Sequence, residues 1–99
     1  MDICVLVVLS KGQSYGYKIV QDLNGILDLS DTALYPVLKR LESSSAITSF
    51  NQEYNGRMRK YFTITPVGWD QLKNHMQELK ELQDVCDFVR GQFNPLVPI

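Results

Sequence analysis

Ser30-Asp31-Thr32-Ala33-Leu34-Tyr35-Pro36-Val37-Leu38-Lys39-Arg40-Leu41-Glu42, followed by Asn55-Gly56-Arg57-Met58-Arg59-Lys60-Tyr61, decides how the rest of this 99-residue chain is read. Ser30 and Asp31 are good N-cap residues, because a short side-chain oxygen can accept from the free N–H groups that open a helix. Leu34, Val37, Leu38 and Leu41 then fall at i, i+3, i+4 and i+7, a single apolar stripe. Thr32, Tyr35, Pro36, Lys39 and Arg40 stand off that stripe or at its margin. The helix therefore has an apolar back and a front of hydroxyl, aromatic and basic groups. That is the kit of a helix that lies in a DNA major groove. Asn55-Gly56 suits a type I′ hairpin turn, whose two central residues both take positive φ. Arg57, Arg59 and Lys60 put three cations within four residues just past the tip.

A helix of this kind followed by a basic hairpin reads as a winged helix-turn-helix. Upstream, residues 2–10 are apolar on nearly every side, so periodicity alone does not separate a buried helix from a strand there. The topology that follows favours a helix. Lys11-Gly12-Gln13-Ser14 is a break. A second helix opens at Ser14 or Tyr15, with Tyr15, Ile19, Val20 and Leu23 spaced toward a core, and Asn24-Gly25 ends it. This helix, its turn and the helix after Ser30 make the helix-turn-helix pair. Pro36 falls past the first turn of the third helix and removes one backbone bond, so a slight kink is expected. Ser43-Ser44-Ser45 ends that helix.

Downstream, residues 47–54 and 57–64 read as two strands. A two-residue turn sets Ile47 opposite Ile64, with Phe62 on the same inner face, and Phe50 opposite Tyr61. Thr65 is a natural N-cap and Pro66 a natural first helical residue for the last helix. That helix is expected to run to about Arg90, roughly 38 Å at 1.5 Å per residue, with Gly91 as its cap. Along it Trp69, Leu72, Met76, Leu79, Leu82, Cys86, Val89 and Phe93 recur at heptad-like spacing. An apolar seam with no partner in its own chain predicts a partner helix in another chain. Leu72, Met76, Leu79, Leu82, Cys86 and Val89 are the candidate dimer interface. The expected fold is mainly α with a small β-hairpin. Residues 1–65 form a winged helix-turn-helix DNA-binding domain, 66–91 a C-terminal dimerisation helix and 92–99 an irregular tail.

Composition narrows the function. Hydrophobic residues make up 44 % of the chain, which suits a globular domain. The apolar run from Ile3 to Leu9 is far short of the roughly 20 residues that span a bilayer. It also lacks the basic start and the cleavage site of a signal peptide, so a cytoplasmic protein is expected. Two cysteines without CxxC spacing and one histidine give no reason to expect a metal or other cofactor. No nucleophile–base pair or phosphate-binding glycine loop stands out, so no enzyme is expected.

The net charge of −1 runs against the usual basic footprint of a DNA binder. Its distribution does not. Residues 39–60 carry five cations against two carboxylates, and residues 70–99 carry five carboxylates against three cations. At physiological salt, screening confines such fields to about 8–10 Å, so the local balance governs contact with DNA. The acidic total leaves one alternative of another class: a winged helix that binds protein and no DNA.

Four pieces of the sequence together resemble the PadR family of transcriptional regulators. They are Tyr15-Gly16-Tyr17-Lys18-Ile19, the run Ala33 to Glu42, Gly56-Arg57-Met58-Arg59-Lys60-Tyr61-Phe62, and Ile64-Thr65-Pro66-Val67-Gly68. They cover about residues 3–72 in the family's order and spacing. The resemblance implies a homodimer joined through the C-terminal helix. It also implies a repressor that binds double-stranded DNA at a palindromic operator and responds to a small molecule. The single C-terminal helix resembles the short subfamily. DNA-binding residues are then expected at Thr32, Tyr35, Pro36, Lys39 and Arg40 on the third helix and at Arg57, Arg59 and Lys60 on the wing. A pocket for a small aromatic effector is expected at Trp69, Leu72 and Met76. The chain departs from the family at Ser45-Ala46-Ile47, where members often carry Gly-Leu-Ile.

Overall fold

The structure, a computed structural model, describes residues 2–27 and 30–93. The elements in order are α1 (Asp2–Ser10), β1 (Ser14–Tyr15), α2 (Gly16–Leu23), α3 (Asp31–Ser43), β2 (Ile47–Tyr54), β3 (Arg57–Ile64) and α4 (Pro66–Gln92). The mainly helical architecture with a small sheet and a long last helix is the one expected. The apolar segment at the start is a helix. It buries Val5, Leu6 and Leu9 against Ile19 and Leu23 of α2, Leu34, Val37, Leu38 and Leu41 of α3, and Ile47 and Phe62 of the sheet.

Each boundary has a local cause. Ser30 Oγ accepts from the Ala33 N–H at 3.2 Å, so α3 starts where its cap residue predicts. Pro36 sits inside α3 without ending it, because the apolar back of the helix is fully packed. At the far end the Ser45 N–H bonds the Glu42 carbonyl at 3.0 Å, and the Ala46 N–H bonds the Leu41 carbonyl at 2.9 Å. Ser45 between them has φ +63°. This is a Schellman motif whose left-handed position, usually a glycine, is a serine. Gly25 takes the corresponding left-handed conformation after α2.

The hairpin has the strict two-residue turn. Asn55 and Gly56 both have positive φ, and the register pairs Ile47 with Ile64 and Phe50 with Tyr61. β1 adds a short third strand that the sequence did not suggest. Ser14 pairs with Phe62 and Tyr15 with Tyr61, giving the antiparallel order β1-β3-β2.

Thr65 joins the sheet to α4. Its Oγ1 accepts from the Gly68 N–H at 3.1 Å, while its own backbone N–H bonds the Ala46 carbonyl at 3.0 Å. α4 sits so close to this corner that a Cβ on Gly68 would lie 2.1 Å from the Ala46 oxygen. No larger residue fits there.

Two expectations about α4 change. The helix passes through Gly91 to Gln92, and Phe93 is its C-cap, with its N–H still bonded to the Val89 carbonyl at 2.9 Å. Leu72, expected in the exposed seam, is only 7 % exposed and belongs to the core. The first turns of α4 pack on their own domain, and the seam opens to solvent from Met76 onward. Of the expected tail, residues 94–99 lie outside the described residues.

Candidate nucleic-acid interface

α3 presents two faces, as its periodicity requires. Leu34, Val37, Leu38 and Leu41 are buried, while Thr32, Tyr35, Pro36 and Lys39 are exposed. Tyr35 is 56 % exposed, and the Lys39 ammonium lies over its ring at 5.5 Å from the centroid. The two side chains are neighbours at i and i+4 and together form one amphipathic patch. Such a patch can meet a thymine methyl with the ring and a guanine edge or a phosphate with the ammonium.

Arg40 is placed differently. Its guanidinium turns back onto α1 and forms a two-armed ion pair with the Asp2 carboxylate, Nε donating to Oδ2 at 3.1 Å. That hydrogen bond, opposed by partial burial and aided by the guanidinium's charge, holds the Asp2 carboxyl below its ordinary value. Arg40 is thus engaged within the chain and stands apart from the exposed front of α3.

On the wing, Arg57 and Lys60 are exposed and Arg59 is half-buried. The Arg59 guanidinium is sandwiched between Tyr15 and Tyr54, 4.0 and 4.1 Å from the two ring centroids. Sequence reading grouped the three cations together, and the fold separates them. The missed partner is Tyr15. It reaches Arg59 only because the two-residue strand β1 lies beside β3. The available signal was the sheet alternation, which places Tyr54, Arg59 and Tyr61 on one face.

On α4, Met76, Leu79, Leu82, Val85, Phe88, Val89 and Phe93 are exposed, and Cys86 is half-buried. Trp69, Leu72 and Met76 are neighbours along one face of α4. With Lys73, Gln77 and Lys80 of the same helix they line a shallow open groove of about 510 Å³. Among the described residues no three of His, Cys, Asp or Glu are grouped to hold a metal ion. No described helix is long and apolar enough to cross a membrane.

Residues 5–74 match the transcriptional regulator PadR-like family. The chain belongs to that family. A PadR family transcription regulator from hypervirulent Clostridium difficile is 31 % identical, with a TM-score of 0.80 over 87 % of this chain and 93 % of that one. A structure from Streptococcus mutans is 33 % identical, with a TM-score of 0.84 over 94 % and 89 % of the two chains. Bacillus subtilis PadR in complex with operator DNA is 24 % identical. It has a TM-score of 0.71 over 76 % of this chain and 45 % of that one, a likeness of fold. A PadR-like chain with this winged helix is a DNA-binding transcriptional regulator and not an enzyme.

Proposed function

We propose that the protein is a homodimeric repressor that reads a palindromic operator with α3, grips the DNA backbone with the wing and is released by a small molecule. The observation that carries this reading is the α3 front of Thr32, Tyr35, Pro36 and Lys39, exposed beside a fully packed back. Base edges are read by hydrogen bonds and apolar contacts of this kind, and phosphate contacts set affinity and register. Arg57 and Lys60 supply the phosphate contacts.

The exposed apolar seam of α4 supports the dimer. Met76, Leu79, Leu82 and Val89 face solvent in one chain, and a two-fold partner helix covers them most economically. Two copies of α3 then enter successive major grooves about 34 Å apart, which makes the operator an imperfect palindrome. The groove at Trp69, Leu72 and Met76 suits a flat aromatic effector, with Lys73 and Lys80 at its rim.

The competing reading, a winged helix that binds only protein, predicts no affinity for duplex DNA. The test is binding of the wild-type protein to an arbitrary duplex over a salt series. The repressor reading expects measurable affinity that falls log-linearly as salt rises, because phosphate contacts release counterions. No binding at low salt would overturn it.

A further inference from the structure

The Tyr15–Arg59–Tyr54 sandwich joins two places that the backbone leaves apart. Tyr15 ends β1 and is the N-cap of α2, whereas Tyr54 ends β2 beside the hairpin turn. Arg59 lies on β3 between those two strands. The same face of the sheet continues inward as an aromatic row. Tyr15 meets Tyr61 edge to face, and Tyr61 stacks on Phe50, both with centroids 5.6 Å apart.

The sandwich sits where the sheet is weakest. β1 supports β3 only at Tyr61 and Phe62. From Lys60 outward to Arg57 the wing is a two-stranded ribbon, paired with β2 alone. Such a ribbon is marginal in water without further packing. It is also the part that carries Arg57 and Lys60.

We propose that Arg59 is a positioning residue. Clamped between Tyr15 and Tyr54, it fixes the outer half of the wing against the start of α2 and so sets how Arg57 and Lys60 meet the DNA backbone. The role rests on the reading of the wing as a backbone-binding element. A guanidinium suits it. The group is planar, weakly hydrated and able to stack on both faces at once, which a compact ammonium cannot do. A wing ordered before DNA arrives leaves less ordering to be done on binding.

The test uses Arg59→Lys and Tyr54→Leu, singly and combined, in the full chain. Amide hydrogen exchange at residues 57–60 is measured without DNA, and binding to a random duplex is measured over a salt series. Exchange is expected to quicken in both single variants. Affinity is expected to fall roughly three- to thirtyfold with the salt slope unchanged, because the phosphate contacts remain. The combined variant should be no weaker than the weaker single one. Unchanged exchange overturns the clamp whatever the DNA result. Weakening by Arg59→Lys with Tyr54→Leu silent makes Arg59 a direct DNA contact and also overturns it. A wild-type protein that binds no duplex overturns the wing reading itself. The exchange data distinguish that failure from failure of the clamp.

Discussion

Arg40 of α3 is ion-paired to Asp2 of α1, so the helix proposed to read DNA is tied by its exposed flank to the first helix of the fold. The pair has a pH signature. Arg40 holds the Asp2 carboxyl below its ordinary value of 3.8, chiefly through the hydrogen bond. A carboxyl whose pKa is lowered by folding stabilises the native state above its unfolded value. That contribution is lost as pH falls through the folded value. Thermal melts of wild type and Asp2→Asn should therefore differ near pH 6 and converge as the pH falls through the lowered value of the Asp2 carboxyl. A gap that persists in acid would mean the carboxylate is not the source.

Because Arg40 is engaged within the chain, it should not count as a phosphate contact, whereas Arg57 and Lys60 should. Each phosphate contact removed flattens the log–log salt dependence of DNA binding by roughly 0.9. Arg57→Ala and Lys60→Ala each remove two contacts from the dimer, so each should lower the slope by roughly 1.8 and weaken operator and random DNA alike. Arg40→Ala should leave the slope where it is. Titrations at four or five salt concentrations per variant read this directly.

The α4 seam makes its own prediction. Leu79 is 46 % exposed in a single chain and lies in the middle of the apolar run. Leu79→Asp would put an unpaired carboxylate into the proposed dimer interface, which is costly once water is excluded. Sedimentation should show a dimer for wild type at micromolar concentration and a shift to monomer for the variant. A monomeric wild type would show that the α4 seam does not pair two chains.

Ser45 offers a stabilising change. Its φ of +63° is a left-handed conformation that costs an L-residue with a Cβ on the order of 1 kcal/mol. Ser45→Gly should raise stability by about 0.5–1 kcal/mol, a few degrees in melting temperature for a domain of this size. It restores the glycine that family members often carry at this position.

Much of this molecule can be read from its residues because the strongest signals are local. Asn55-Gly56 sets the turn, the turn sets the register, and the register puts Ile47, Phe62 and Ile64 on one face. Ser30 and Thr65 cap the helices they precede. The rest depends on contacts between distant segments. β1 is two residues long and has no periodicity to detect. Asp2 and Arg40 are 38 positions apart, and nothing local marks either as the other's partner. Arg59 looks the same as Arg57 in sequence until Tyr15 is brought beside it. Leu72 continues the apolar seam in sequence, but the start of α4 is docked on its own domain by Thr65 and Gly68, and that turns Leu72 inward.

Sequence choice is proposed to reside on the exposed front of α3, at Thr32, Tyr35, Pro36 and Lys39. The most direct measurement is selection of bound sequences from a random duplex pool by wild type, Tyr35→Ala and Lys39→Ala. Wild type should select an imperfect palindrome with half-site centres about one helical turn, roughly 34 Å, apart or a multiple of that. Each variant should lose preference at its own base positions, by about 1–3 kcal/mol per lost contact, and keep the rest of the motif. A motif unchanged in both variants would show that α3 is not the reader.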